Sequence, residues 1–144
     1  MGPLRLVLDT NVVVSAVLNP HGNERAIARF ALRSDNGLIM SSAIRNEYRT
    51  VLARRKFYAV AQEARRFVDD LEAAAVFVTS APVVGVARDP KDDMFLGCAE
   101  AGGADYLVTG NLRDFPSSWG RTRIVSATIL LNVLGEELGF GRKR

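Results

Sequence analysis

The chain has 144 residues, of which 48% are hydrophobic and 24% charged, a composition that suits one soluble domain with its own core. No apolar run approaches the roughly 20 residues of a membrane span, the first residues do not have the pattern of a signal peptide, and the single cysteine excludes an internal disulfide and a thiolate zinc site. We therefore expect a cytoplasmic protein with no membrane partner. The net charge is +3 and nearly all cations are arginines, which favours a nucleic-acid partner. A GC-rich genome would give the same bias.

The first predicted element is a short aliphatic strand over residues 4–8, which ends at Asp9. Its length is too short for a stable helix, and its aliphatic content is typical of a strand buried on both faces of a parallel sheet. A helical pattern follows over residues 11–18, so Asp9 lies where a strand passes into a helix. Open α/β sheets bind ligands at that edge, but an aspartate there can also serve only as a helix cap.

The rest of the chain continues this alternation. Further helices are predicted over residues 24–33, 41–54, 60–75, 94–101 and 126–134, and further strands over residues 38–40, 76–79, 104–108 and 123–125. The alternation predicts an α/β fold with three layers, α/β/α, and a central parallel sheet of about five strands. We expect a single domain over residues 1–138 and a frayed basic tail over residues 139–144.

Acidic residues stand beside these elements in four places. Asp9 follows the first strand, Glu47 borders the apolar stripe of the third helix, and Asp114 lies in the loop after the fourth strand. The fourth place is a cluster before the next-to-last helix, formed by Asp89, Asp92 and Asp93. Glu47 also suits the edge of an ordinary amphipathic face, and one aspartate of the cluster would be enough to cap its helix.

In a parallel sheet these acids can meet at one edge. Carboxylates packed together repel each other and raise each other's pKa, and a hard divalent cation removes that cost. Oxygen ligands without cysteine suit Mg²⁺ or Mn²⁺ rather than zinc. Such cations activate water and stabilise charge during phosphodiester displacement. The pattern therefore predicts a site for Mg²⁺ or Mn²⁺.

The acids stand in four ordered segments of the chain, which are Leu-Asp-Thr-Asn-Val at 8–12, Ser-Ala-Ile-Arg-Asn-Glu at 42–47, Asp-Asp-Met-Phe-Leu-Gly-Cys-Ala at 92–99, and Leu-Val-Thr-Gly-Asn-Leu-Arg-Asp-Phe at 107–115. Together these segments resemble the PIN-domain family. In order and spacing the chain is most similar to the PIN toxins, VapC-like ribonucleases of toxin–antitoxin pairs. The resemblance implies a PIN-like α/β fold, cleavage of RNA with Mg²⁺ or Mn²⁺, a homodimer, and inhibition by a cognate antitoxin protein.

Carried over position by position, the resemblance implies four catalytic and metal-binding acids, which are Asp9, Glu47, Asp93 and Asp114. Asn11 and Thr109 resemble supporting groups that orient the carboxylates. Asn111 stands where the family often has an aspartate, and its amide oxygen brings no charge. This departure leaves an alternative open, a non-catalytic or weakly active PIN-fold protein that binds RNA or a nucleotide.

Arginines on or just beyond the Glu47 helix are candidates for contact with RNA phosphates, although they also fit an ordinary solvated face; they are Arg45, Arg49, Arg54 and Arg55. Two other classes fit less well. A phosphatase of the haloacid dehalogenase type needs a second carboxylate two residues after Asp9, where Asn11 stands. A dinucleotide-binding Rossmann domain needs a glycine-rich turn after the first strand. The working hypothesis is a metal-dependent endoribonuclease.

Overall fold

The computed structural model of the protein describes residues 3–33, 35–79 and 82–137, and for residues 136 and 137 the backbone only. Its strands are β1 (Arg5–Leu8), β2 (Gly37–Met40), β3 (Val76–Phe77), β4 (Tyr106–Val108), β5 (Ser118–Trp119) and β6 (Thr122–Val125). Its α-helices are α1 (Thr10–Leu18), α2 (Asn23–Ala31), α3 (Ser42–Leu52), α4 (Ala61–Ala74), α5 (Asp93–Gly102) and α6 (Ala127–Glu137).

The strands form one sheet in the order β3-β2-β1-β4-β6-β5, and every pairing is parallel except that of β5 with β6. This confirms the predicted α/β fold with a central parallel sheet. One strand was not predicted from the sequence: β5, a two-residue edge strand that returns along β6. Trp119 pairs with Thr122 across a turn at Gly120, whose φ of 59° favours glycine. Such a short strand has no periodicity to detect.

The core surrounds β1, which lies between β2 and β4. Leu6, Val7 and Leu8 are fully buried, as expected for a strand covered on both faces. Helix α5 contacts β1, β2 and β4, and its buried face runs through Phe95 and Leu96. Burial of these aliphatic and aromatic side chains is the main favourable contribution to the stability of the fold.

The carboxyl ends of β1 and β4 lie side by side, because the two strands are parallel neighbours in register. Leu8 pairs with Val108, so Asp9 and Thr109 are the first residues beyond the sheet on adjacent strands. The site described below is built at this edge.

None of the helices in the described ranges is long and apolar enough to cross a membrane. The basic tail predicted over residues 139–144 lies outside the described residues. The single domain over residues 1–138 stays a prediction.

Candidate active site

Asp9 is the buried acid at the edge of the sheet. Only 5% of its surface is exposed, and it is the N-cap of α1, where one carboxylate oxygen accepts a hydrogen bond from the Thr10 amide at 2.7 Å. The other oxygen accepts a bond from the Thr109 hydroxyl, also at 2.7 Å. Asp9 is thus both a cap and a fixed carboxylate at the end of β1.

Burial raises the pKa of Asp9, and the negative charges of Glu47 and Asp114 raise it further, while the bonds from Thr109 and Thr10 lower it. On balance, the pKa of Asp9 is raised. The carboxylate is therefore held in place by donors, and the neighbouring charges that shift its pKa are both negative.

The loop after β4 is fastened to the start of α1. The Asn11 side-chain oxygen accepts a bond from the Gly110 amide at 3.0 Å, and the Thr109 hydroxyl accepts one from the Asn111 amide at 2.9 Å. Thr109 is fully buried, so it can link Asp9 and the Asn111 backbone without competition from solvent. Asn11 and Thr109 thus make the kind of contact that orients a ligating carboxylate.

Asp92 lies within reach of the charge of Asp9, whereas the acid that the sequence predicted as a metal ligand was its neighbour Asp93. Burial raises the pKa of Asp92 to about 6, and the negative charges that add to this effect are those of Asp9, Asp89, Asp114 and Glu47. The structure therefore brings the acids of β1, α3, the β4 loop and the start of α5 within electrostatic reach of each other.

Asp93, the predicted third acid, has a different environment. It is 4% exposed, and its carboxylate accepts backbone hydrogen bonds from Gly85, Val86 and Ala87. The sequence does not distinguish the two aspartates. Both lie three or four residues before apolar positions in the run 95–99, and in the structure that whole run is buried. Only the orientation of the first turn distinguishes them.

Tyr48 is a further residue whose role at this edge was not predicted. It is fully buried on α3, and its hydroxyl donates a hydrogen bond to the carbonyl of Leu8, the residue before Asp9. Burial raises the pKa of Tyr48 well above its usual value, so the hydroxyl stays protonated and remains a donor. Its signal in the sequence was only that a buried tyrosine needs a partner. The bond fixes the helix that carries Glu47 against β1.

Asn111 is exposed and borders a small hollow of about 240 Å³ beside the cluster. The other side chains around this hollow include Asn11, Ser15 and Glu24. Glu24 was not considered in the sequence analysis, where it was simply the first residue of a surface helix. Its place brings another carboxylate to the rim of the site.

The four arginines proposed for RNA contact fall into two groups. Arg45 pairs with Glu72 at 3.1 Å, and Arg49 pairs with both Glu72 and Asp69 at 2.7 and 2.8 Å. These pairs tie α3 to α4, and they lower the pKa of Glu72. Arg54 and Arg55, in contrast, are exposed beyond the end of α3.

The acids fit a hard divalent cation in their chemistry. Their donors are carboxylate and amide oxygens. Burial raises the pKa of Asp92 and the neighbouring negative charges raise it further, and a bound cation would offset that repulsion. In the part of the chain that the structure describes, however, no group of three His, Cys, Asp or Glu side chains is close enough to hold a metal ion without rearrangement. The carboxylates share one field, and they would have to converge when a cation binds.

Comparison with known proteins agrees with this fold. VapBC2 from Rickettsia felis, bound to a DNA fragment from its promoter, is similar with a TM-score of 0.53 and 18% sequence identity, over 76% of this chain and 90% of the other. FitAB bound to a DNA fragment has a TM-score of 0.55 and 18% identity, over 85% of this chain and 94% of the other. FitAcB from Neisseria gonorrhoeae has a TM-score of 0.53 and 19% identity, over 85% of this chain and 98% of the other. No curated protein sequence matches the chain.

The class is therefore an α/β fold with a parallel sheet and acids at its carboxyl edge, similar to the chains of these complexes. The family follows from the sequence model of the PIN domain, which matches residues 5–113. The chain belongs to the PIN domain family, whose members are generally nucleases.

Proposed function

We propose that the protein is an endoribonuclease that depends on Mg²⁺ or Mn²⁺ and acts as the toxin of a toxin–antitoxin pair. The observation that carries the proposal is the group of mutually repelling carboxylates around the buried Asp9. An isolated structural role would not require several acids in one field, since each of them destabilises the others. Phosphodiester hydrolysis assisted by a divalent cation does require such a group.

The residues that would hold the cation are Asp9, Glu47, Asp92 and Asp114. A bound Mg²⁺ or Mn²⁺ would supply activation of water and neutralisation of charge on the phosphodiester. Asp92 replaces the predicted Asp93 in this proposal, because Asp93 is bound by three backbone amides. Asn11 and Thr109 act on this set through the bonds that hold the β4 loop and Asp9.

Two of these acids differ in what they can do with a proton. Asp9 is held by donors on both oxygens, which fixes its direction. Asp92 is half-buried, and its pKa of about 6 allows it to gain or lose a proton near neutral pH. A bound cation would favour the charged form of Asp92, so Asp92 would release this proton when the cation binds.

Arg54 and Arg55 are exposed and could bind RNA phosphates. Arg45 and Arg49 contribute instead to the position of α3, since their charges are already paired with α4. We extend to this chain the antitoxin partner and the homodimer that the resemblance to PIN toxins implies, together with a cytoplasmic location. The structural likeness to VapBC and FitAB complexes supports the antitoxin partner.

The test is cleavage of a labelled RNA by the purified protein in Mn²⁺, in Mg²⁺ and in chelator. We expect cleavage only with a divalent cation, and Asp9→Asn should reduce the rate by about a hundredfold or more. Asp70→Asn, on the exposed face of α4, is the matched control and should cleave normally. Cleavage by Asp9→Asn at the normal rate, or equal cleavage in chelator, would contradict the proposal.

A second candidate, a PIN-fold protein that binds RNA or a nucleotide with little or no catalysis, is favoured by two observations. Asn111 supplies no charge where the family often has an aspartate, and no three acids of the described residues are gathered closely enough to hold a metal without rearrangement. RNA binding that survives in chelator, with no cleavage in either cation, would favour this candidate.

A further inference from the structure

The carboxylate of Asp93 is enclosed by the backbone of the segment that precedes α5. One oxygen accepts a hydrogen bond from the Gly85 amide at 2.9 Å, and the other accepts bonds from Val86 at 3.3 Å and Ala87 at 2.7 Å. Three consecutive amides therefore converge on one buried anion, an arrangement that binds an anion strongly. Gly85 has a φ of 74°, which a residue with a side chain adopts only with strain, so this position favours glycine.

The segment bound by Asp93 leads directly to two acids of the proposed site. The Arg88 amide donates to the carbonyl of Asp114 at 2.8 Å, which joins the segment to the loop after β4. The backbone and side-chain oxygens of Asp89 then accept bonds from the amides of Asp92 at 2.9 Å and Lys91 at 3.0 Å. Residues 85–92 thus form a bridge, which we call the 85–92 bridge, between Asp93, Asp114 and Asp92.

Both oxygens of Asp93 are occupied by this bridge. A cation that recruited Asp93 would have to break bonds to backbone amides that are half-buried or buried, and those amides would then lack partners. The neighbouring Asp92 has a partly exposed carboxylate that faces other negative charges instead. The two adjacent aspartates thus have contacts of opposite kinds, donors for one and like charges for the other.

We infer that Asp93 is a positioning residue that clamps the 85–92 bridge and thereby sets the places of Asp92 and Asp114, and that it is not a metal ligand. This inference rests on the proposed function for the role of Asp92 and Asp114. The clamp itself is a matter of hydrogen bonds and can be tested whether or not the protein cleaves RNA.

The first test is amide exchange measured by NMR in chelator, comparing Asp93→Asn with Asp92→Asn and with the control Asp70→Asn. The asparagine at 93 keeps one acceptor oxygen but presents an NH₂ group to a backbone donor, so at least one of the three bonds is lost. We expect exchange at Gly85, Val86 or Ala87 to accelerate roughly tenfold to a hundredfold in Asp93→Asn only, as the loss of a bond to a charged acceptor implies. Exchange in α4, far along the chain, should stay unchanged and shows that the fold is intact.

The second test is binding of Mn²⁺ alone, measured by titration on the same variants. Asp93→Asn should keep its affinity within about threefold, whereas Asp92→Asn should lose tenfold or more. If Asp93→Asn lost Mn²⁺ affinity as strongly as Asp92→Asn while the three amides kept their protection, Asp93 would be a ligand and the inference would be overturned.

The kinetic consequence separates positioning from general stability. In a protein that cleaves RNA, Asp93→Asn should lower kcat by about tenfold or more while KM for RNA stays within about twofold, because RNA contacts are not altered. Gly85→Ala disturbs the clamp from the other side without changing any charge, and it should reproduce this kcat loss with normal Mn²⁺ binding. Gly85→Ala keeps the test decisive if Asp93→Asn does not fold. Normal kcat in Gly85→Ala, with its three amides exposed to exchange, would overturn the positioning role.

The outcomes also distinguish this inference from the proposed function. If the wild-type protein neither binds Mn²⁺ nor cleaves RNA, the proposed function fails, and unchanged exchange in Asp93→Asn would then refute the clamp separately. If the wild type cleaves RNA and Asp93→Asn leaves exchange and kcat unchanged, the function stands and the inference fails.

Discussion

At the scale of single residues, two adjacent aspartates have opposite surroundings. Asp92 is partly exposed among like charges, whereas Asp93 is buried among backbone donors. Successive residues at a helix start point about 100° apart, so one can face the sheet edge while the next faces the preceding loop. In the sequence the two aspartates look equivalent, but in the structure their surroundings differ.

The raised pKa of Asp92 gives a pH-dependent prediction. An ordinary aspartate titrates near 3.8 and Asp92 titrates at about 6 in the folded protein, so the folded state binds more protons between these values. Its contribution to stability is therefore greatest below pH of about 4 and is lost as the pH rises through about 6. Asp92→Asn removes this loss.

We therefore expect Asp92→Asn in chelator to melt at a higher temperature than wild type at pH 7.5, with the difference shrinking as the pH falls to about 4. Asp70→Asn, on an exposed face, should show no such trend. Melting followed by circular dichroism across this range measures the effect. A difference between Asp92→Asn and wild type that does not change with pH would contradict the assignment of the raised pKa to Asp92.

At the scale of elements, α3 is the helix whose placement decides whether Glu47 reaches the cluster. Ser41 caps it by accepting a bond from the Ile44 amide at 3.2 Å, and Ile44 and Tyr48 fix its inner face in the core. Arg45 and Arg49 bind the acids of α4 on the next face. Glu47 is half-buried and lies between these contacts, which set its direction.

The bond from the Tyr48 hydroxyl to the Leu8 carbonyl should therefore affect both stability and activity. Tyr48→Phe should lower the free energy of unfolding by about 1–2 kcal/mol, the usual effect of losing a buried hydrogen bond. Tyr58→Phe is the control, because Tyr58 is 66% exposed and should change stability by less than about 0.5 kcal/mol. Urea denaturation measures both variants. If Tyr48→Phe were as stable as wild type, the Tyr48 hydrogen bond would not stabilise the packing of α3 against β1.

At the scale of the whole molecule, the sheet order is what assembles the site. β1 lies beside β4, so Asp9 and Thr109 emerge together, although they are separated by 100 positions in the chain. The helix that follows β2 carries Glu47, the turn before α5 carries Asp92, and the loop after β4 carries Asp114, so the remaining acids lie near the same edge. A cation bound there would connect several elements, so its binding should stabilise the whole domain.

Asn111→Asp tests this linkage. The added carboxylate should increase Mn²⁺ affinity, and each tenfold gain would add about 1.4 kcal/mol to the stability at saturating cation. In chelator the same carboxylate joins a repulsive cluster, so the variant should be less stable than wild type. Opposite signs in the two conditions distinguish charge from a packing defect, which would lower stability in both. Titration calorimetry and melting with and without Mn²⁺ give the two values, and unchanged affinity would place Asn111 outside the cation's reach.

Much of the fold was determined by the sequence itself. Aliphatic runs of strand length, helical spacing of apolar residues and the polar breaks between them gave the α/β class, five of the six strands and all six α-helices of the described residues, within a few residues at their ends. These features are local, since each depends on a period of two or 3.6 residues that a short window contains. The position of Asp9 at the end of β1 and of Asp114 after β4 was local in the same sense.

The contacts between distant segments could not be predicted in this way. Asp92 lies in the charge field of Asp9, Asp93 accepts hydrogen bonds from the amides of residues 85–87, and Arg45 and Arg49 pair with α4. In each case the sequence offered several charged residues at nearly equivalent positions. The choice between them depends on the rotation of a helix by part of a turn and on the path of a loop that has no periodicity, and both are fixed by packing against the rest of the molecule.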